Sequence, residues 1–409
     1  MHRPSRRNFL SGLCGCGICL AAPSALAKVL PIQLKPTVTL DYTPGDPDER
    51  GLWQLFSQLE ENLASSNLRI QDPALNDYLV GVMQRLLGEQ ASKMRVYPMR
   101  NPDFNASMTP NGMMIVNSGL LVRVRNEAQL AAVLGHESGH YLRRHSLQGW
   151  RNRRTTSAVM AFVAAGSTVA TGAMGTNWYD VANAINSSLL LSVFSYSREL
   201  ESEADAYGLQ LLADAGYPPA AASEIWAQLI EERKASAAVR RKKYQDRSTS
   251  SLSTHPPTAD RMTNLAQTGA EIERIDLAAA QYDNRHSEWL AAVAPHRAEL
   301  LEEQVRLNDP GASLYLINSL AKDGWDCTLR YFEGETYRLR DEMGDVEKAA
   351  DSYKAALQFP DATPDAYRAF GYSQWKNGSR EEGRAALRRY LELRPNAADA
   401  EMVRFTIGQ

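Results

Sequence analysis

Leu134-Gly135-His136-Glu137-Ser138-Gly139-His140 decides how the rest of this chain is read. It is an H-E-x-x-H pattern inside an apolar-periodic stretch expected to be helical from Asn126 to Leu147, with Ala131, Val133 and Leu134 near its buried entry. On a helix, His136 and His140 project from one face, one turn apart. Two imidazoles so placed can share a metal ion, and zinc suits neutral imidazole while tolerating an open coordination position. Glu137 lies beside them and can take a proton from an attacking water. The bland alternative is a helix whose two His only pair with nearby carboxylates.

A second stretch weighs against that alternative. Val181 to Leu212 reads as one long helix carrying Ser197-Arg198-Glu199-Leu200-Glu201-Ser202-Glu203-Ala204-Asp205. Glu201 and Asp205 share a face, with Arg198 on the same side, while Glu199 and Glu203 point elsewhere and are expected to be solvated. A carboxylate from a second helix is what a catalytic zinc site with two His needs. Asp205 could then orient a ligand His or bind the reacting group. A longer metzincin pattern would need Gly at position 143 and His at 146, where this chain has Arg143 and Ser146. His145 should lie ~140° from His140 on a continuous helix, so it is expected on the surface or behind the ligands.

The run Asn105-Ala106-Ser107-Met108-Thr109-Pro110-Asn111-Gly112-Met113-Met114-Ile115-Val116, then Gly119-Leu120-Leu121, the H-E-x-x-H helix and E-x-E-A-D, resembles the HtpX-like and CAAX-prenyl-protease family of gluzincins. His255-Pro256-Pro257, followed by Arg261, matches a further element of that family. The resemblance covers roughly residues 50 to 265 and implies a zincin-type α+β metalloprotease domain. It places one Zn²⁺ per chain on His136, His140 and Glu201, makes Glu137 the general base and gives Asp205 a supporting catalytic role. Family members often read N-A-F-A-x-P-G-G where this chain reads N-A-S-M-T-P-N-G, which bears on the substrate groove and removes no ligand. His255 sits between a Ser/Thr run and two prolines that bias it toward an extended conformation, so it could fill the fourth metal position as a gate.

The first 27 residues read as an export signal: Arg3, Arg6 and Arg7, an apolar Gly-rich run, then Ala25-Leu26-Ala27 as the cleavage site. Ser5-Arg6-Arg7-Asn8-Phe9-Leu10 resembles a twin-arginine signal, and the expected destination is the periplasm. Cys14, Cys16 and Cys19 fall in that segment, so Cys327 alone would remain and no intramolecular disulfide could form. A net charge of −3 gives no general attraction to nucleic acid, and the basic patch from Arg240 to Arg247 reads as a solvated face.

Residues 28–45 are a loose lead-in, and Asp48 to Ser66 and Asp72 to Leu87 read as amphipathic helices. Met94 to Met99 and Met113 to Val116 read as strands, the second after a turn at Asn111-Gly112 and expected at an edge where extended substrate could pair. Residues 155–177 are small-residue-rich and approach a bilayer span in length, so peripheral membrane contact is an option beside simple core packing. His286 and His296 read as surface residues.

The tail repeats. Gly344 and Gly378 are 34 apart, as are Ala349 and Gly383, and Ala356 and Tyr390. Closed by Pro360 and Pro395, these units resemble tetratricopeptide repeats, whose stacked helices offer a surface to a protein partner. The expected architecture is therefore mainly α with a small β-sheet: export signal 1–27, lead-in 28–45, metallopeptidase domain 46–265, helical linker 266–310, and a TPR-like array 311–409. The layout resembles periplasmic proteases and chaperones of outer-membrane protein assembly. It implies unfolded or misassembled envelope proteins as substrates, with assembly machinery as a possible partner of the repeats. A binding protein with a structural zinc is the rival reading.

Overall fold

Residues 36–153, 196–244, 259–275 and 281–408 are described by the structure, a computed structural model. The export-signal region, the 155–177 stretch and His255 lie outside them. Helix α1 (Pro47–Ala64) starts where Asp46 accepts from Glu49 N, and buries Leu52, Phe56, Leu59 and Leu63. Helix α2 (Pro73–Leu87) starts at Asp72, which accepts from Ala74 N and Leu75 N, and buries Leu75, Leu79, Val82, Met83 and Leu86. Both begin with Asp as the cap and Pro at the first position; the second does so where Asp72-Pro73 predicts it, and the first starts one residue before the expected Asp48.

The sheet has three strands in the order β1 (Arg95–Met99), β3 (Met113–Asn117), β2 (Ala106–Met108). β1 runs parallel to β3, with Arg95 opposite Met113, and β2 runs antiparallel to it, with Ala106 opposite Val116. Met113 to Val116 is therefore the central strand and not an edge. Both of its rims are occupied, and it cannot pair with substrate. The edge beside it is β2, a three-residue strand that propensity and alternation alone do not reveal.

After the short α3 (Ser118–Leu121) comes α4 (Glu127–Leu142), whose sixteen residues are all buried. Such a helix is the centre of its domain. It ends at Leu142, five residues before the expected end. Arg143 closes the helix, Arg144 takes a left-handed φ of 58°, and a separate helix, α5 (His145–Arg153), sets off in a new direction. The Leu142 carbonyl is satisfied from outside, accepting from Thr37 N and Thr37 Oγ1 at 2.8 Å each.

Helix α6 (Arg198–Asp214) lies along α4. It begins at Arg198 and not inside a helix running from Val181, because Ser197 is extended and caps Leu200 N with its hydroxyl. The two helices approach closely at glycines. A Cβ on Gly208 would stand 3.1 Å from His136 N, and one on Gly139 would stand 3.2 Å from Ala204 O.

Helices α7 (Ala220–Val239), α8 (Ala259–Ile275), α9 (His286–Val293), α10 (Arg297–Arg306) and α11 (Pro310–Leu320) complete this body. Trp289, Leu301, Ile317 and Leu329 belong to the same apolar core as Leu134 and Leu212. Trp289 Nε1 donates to Val124 O at 2.9 Å, and Arg123 donates to Glu232 and Gln304 at 2.7 Å each. His296 is not a surface residue: it is buried, with Nε2 2.9 Å from Asp72 Oδ2, on the residue that caps α2. His286 is half-buried, with its Nδ1 2.8 Å from Arg125 O.

The tail forms two helical hairpins, α12 (Cys327–Arg340) with α13 (Asp345–Ala356), and α14 (Pro364–Lys376) with α15 (Arg380–Leu393), followed by α16 (Ala400–Ile407). Gly344 and Gly378, the pair separated by 34 residues, both take positive φ in the turn within each hairpin, at 83° and 89°. No helix among the described residues is long and apolar enough to cross a membrane.

Candidate metal centre

Asn126 caps α4 by accepting from Gln129 N at 2.9 Å. At the next residue the fully buried Glu127 carboxylate accepts from Arg85 at 2.8 Å, from Tyr217 Oη at 2.5 Å and from Tyr78 Oη. This buried network fixes the helix that carries the motif. One turn apart on its face toward α6, His136 Nε2 and His140 Nε2 stand 3.1 Å from each other. Glu201 of α6 brings its carboxylate oxygens to 3.6 Å from His136 Nε2 and 3.7 Å from His140 Nε2. The three donors lie within 4.8 Å of one another. Zinc with bonds of about 2.0–2.1 Å in tetrahedral geometry needs donors roughly 3.3 Å apart, so two imidazoles and a carboxylate at these separations fit it. Glu137, the adjacent residue of the motif, is also buried.

Around this trio stands a second set of side chains. His136 Nδ1 is 2.9 Å from Asp205 Oδ1. Arg261 of α8 grips the same carboxylate with two hydrogen bonds of 2.7 Å, from Nε to Oδ2 and from Nη2 to Oδ1. Its Nη1 reaches Glu201 Oε2 at 3.3 Å, and its guanidinium lies 4.5 Å from the centroid of the Trp226 ring. Burial alone would raise the Asp205 carboxyl, but Arg261 and His136 outweigh it and hold the group well below the usual carboxylate range. A small cavity beside His136 is lined by Val133, Asp205, Leu209, Trp226 and Leu265.

His140 has different neighbours. His145 is fully buried, with its Nδ1 2.8 Å from His140 Nδ1. The break at Arg144 carries it back under the ligand, which a continuous helix would not do. Burial pushes the His145 imidazole down, with Glu203 opposing. Glu203 is not a solvated bystander: it pairs with Arg143 and brings Oε2 to 3.5 Å from His145 Nε2. Tyr196 stacks on His140 with centroids 3.9 Å apart and planes at 16°, and its hydroxyl meets Ser146 Oγ at 2.8 Å.

The sequence-predicted residues His136, His140, Glu201 and Asp205 thus come together, and Glu137 sits in the same turn of helix. Arg261 was visible only as part of a downstream motif, with no partner assigned. Tyr196, Trp226 and the Glu203–His145 contact carried no local signal.

Residues 72–268 match the model of Peptidase family M48. A putative beta-barrel assembly-enhancing protease of Vibrio cholerae is 25% identical over 267 residues, 64% of this chain and 53% of that one. The mitochondrial metalloendopeptidase OMA1 of Schizosaccharomyces pombe is 33% identical over 155 residues, 37% of this chain and 43% of that one. The beta-barrel assembly-enhancing protease of Escherichia coli is 24% identical over 214 residues, 52% of this chain and 42% of that one. The chain spans about half the length of these curated relatives.

Proposed function

We propose that the chain, whose residues 72–268 match the model of Peptidase family M48, is a zinc-dependent metalloendopeptidase of the cell envelope. The observation that carries this reading is the convergence of His136, His140 and Glu201 on one point, with Glu137 on the same turn of a buried helix.

Zinc held by these three side chains would lower the pKa of a water and polarise the scissile carbonyl. Asp205 accepts from His136 Nδ1–H, which fixes the tautomer and turns Nε2 toward the metal position. Arg261 bridges Asp205 and Glu201, offsetting one of their two negative charges and holding both in register. Glu137 takes the proton of the attacking water and delivers it to the leaving amine.

Extended substrate pairs along β2. Asn105 O accepts from Asn117 N and Thr109 N donates to Met113 O, so the intervening Ala106 and Met108 direct their main-chain groups away from β3, at positions only 2% and 1% exposed. Main-chain pairing recognises any unfolded segment, which suits misfolded or misassembled envelope proteins as substrates. The terminal hairpins, read as TPR-like repeats, present a surface for a protein partner, with outer-membrane assembly machinery the candidate. His255 remains a proposed gate resting on sequence alone. His255→Ala should keep stoichiometric zinc and cleave unfolded substrate faster, and unchanged rates would remove it.

A substrate-trapping pull-down with Glu137→Gln tests the reading. Enrichment of unfolded envelope proteins over the wild-type chain is expected. The paired hairpins favour a second reading, in which the chain is an assembly factor and proteolysis is incidental. Full function of Glu137→Gln in cells would select it.

A further inference from the structure

We propose that His145 is a positioning residue for the metal, accepting a hydrogen bond from ligand His140 and linking it to Glu203. This rests on the zinc reading of the His136–His140–Glu201 site and extends it to residues outside the ligand set.

His140 Nδ1 and His145 Nδ1 stand 2.8 Å apart, and both rings are fully buried. Two ring nitrogens at that distance form a hydrogen bond only if one carries a proton and the other a lone pair. His140 presents Nε2 to His136 and Glu201, so its lone pair for a metal is on Nε2 and its proton is on Nδ1. His145 Nδ1 is then the acceptor, and the single proton of its neutral ring is on Nε2. That proton faces Glu203 Oε2 at 3.5 Å, a charge–dipole contact at the outer edge of hydrogen-bond reach. Arg143 holds Glu203 from the other side.

The chain is built to make this contact. Left-handed Arg144 breaks the helix between the two His, at a conformation uncommon for a non-glycine residue, and so returns His145 beneath His140. Tyr196 stacks against the His140 ring, so rotation away from Nδ1–Nδ1 contact would disrupt the stack. The two ligand imidazoles are thereby supported differently. His136 has a carboxylate directly on Nδ1, whereas His140 has a neutral imidazole with the carboxylate one step behind. Partners of this kind set ligand orientation and basicity, and their loss typically costs about 10–100-fold in metal affinity.

The test uses the full mature chain and zinc alone, with affinity measured by competition against a chromogenic chelator. His145→Phe keeps bulk and removes the acceptor, and His145→Gln supplies an oxygen acceptor in its place. Zinc affinity should fall about 10–100-fold in His145→Phe and largely return in His145→Gln, with zinc-free melting temperatures alike in the two variants. Equal losses in both, or wild-type affinity in His145→Phe, would overturn the proposal. If His145→Phe fails to fold by circular dichroism, Glu203→Leu decides the matter. It touches no ligand and should still weaken zinc binding, and an unchanged affinity there overturns the relay. A wild-type chain that binds no zinc would instead sink the metal-site reading.

Discussion

Arg261 and Asp205, 56 residues apart in the chain, form a two-pronged ion pair with both hydrogen bonds at 2.7 Å, directly behind His136. The pair joins α8 to α6 and sets the charge around the metal position. Removing one partner of a buried pair leaves the other uncompensated. Arg261→Leu is therefore expected to lose ~3–5 kcal/mol of stability by denaturant unfolding and to bind zinc more weakly. Arg261→Lys keeps the charge but not the planar fork, so it should recover only part of the loss. A full rescue by lysine would mean that charge alone matters.

Close approach of α4 and α6 is what brings Glu201 to the two His. Gly208 stands where a Cβ would meet His136 N at 3.1 Å. Gly208→Ala should cost ~1–3 kcal/mol through overpacking, and Gly208→Val should also lose stoichiometric zinc by pushing Glu201 out of reach. Wild-type zinc content in Gly208→Val would show that the helix spacing is not limiting.

Much of this was legible because the ligand spacing is local. That His136 and His140 share one face, and Glu201 and Asp205 another, follows from helical periodicity; that the two faces meet at one metal position is what the family resemblance implies. What escaped was set by distant contacts or by a backbone choice that the sequence does not announce. An arginine at left-handed φ gives no warning, so periodicity carries the helix through Arg144 and assigns His145 no partner. Strand order depends on pairing across the sheet, so Met113 to Val116 was read as an edge when β1 and β2 flank it. Polar residues read as surface have partners that cover them: His296 is buried on Asp72, and Glu203 is half-buried beside Arg143.

The first hairpin of the tail should be acid-sensitive through Asp345. Its buried carboxylate accepts from Arg340 at 2.6 and 2.7 Å and from Glu342 N at 3.0 Å. The Arg340 hydrogen bonds, above the opposing effect of burial, hold it below the usual Asp range. A depressed folded value means the stabilisation is present above the unfolded Asp value of ~3.9 and fades as pH falls below it. Asp345→Asn should therefore melt below wild type at neutral pH, with the difference shrinking toward strong acid. A gap that is constant with pH would contradict this.

The helices after the site are not one uniform appendage. Leu316, Ile317, Leu329 and Phe332 share the core of the metal-site body, whereas Leu387, Tyr390 and Val403 form a cluster of their own. A chain ending after Asp341 should keep zinc and hydrolyse a small unfolded substrate while failing to replace the full chain in cells. A chain ending after Asn284 loses Trp289 and its bond to Val124, and should aggregate. Full cellular function of the chain ending at Asp341 would remove the partner role from the terminal hairpins.

The most direct test of the central claim pairs zinc content with casein cleavage in Glu137→Gln. One zinc per chain, as in wild type, is expected with cleavage lost, because the substitution removes the base and leaves the three ligands. Cleavage at the wild-type rate by a zinc-loaded Glu137→Gln chain would contradict it.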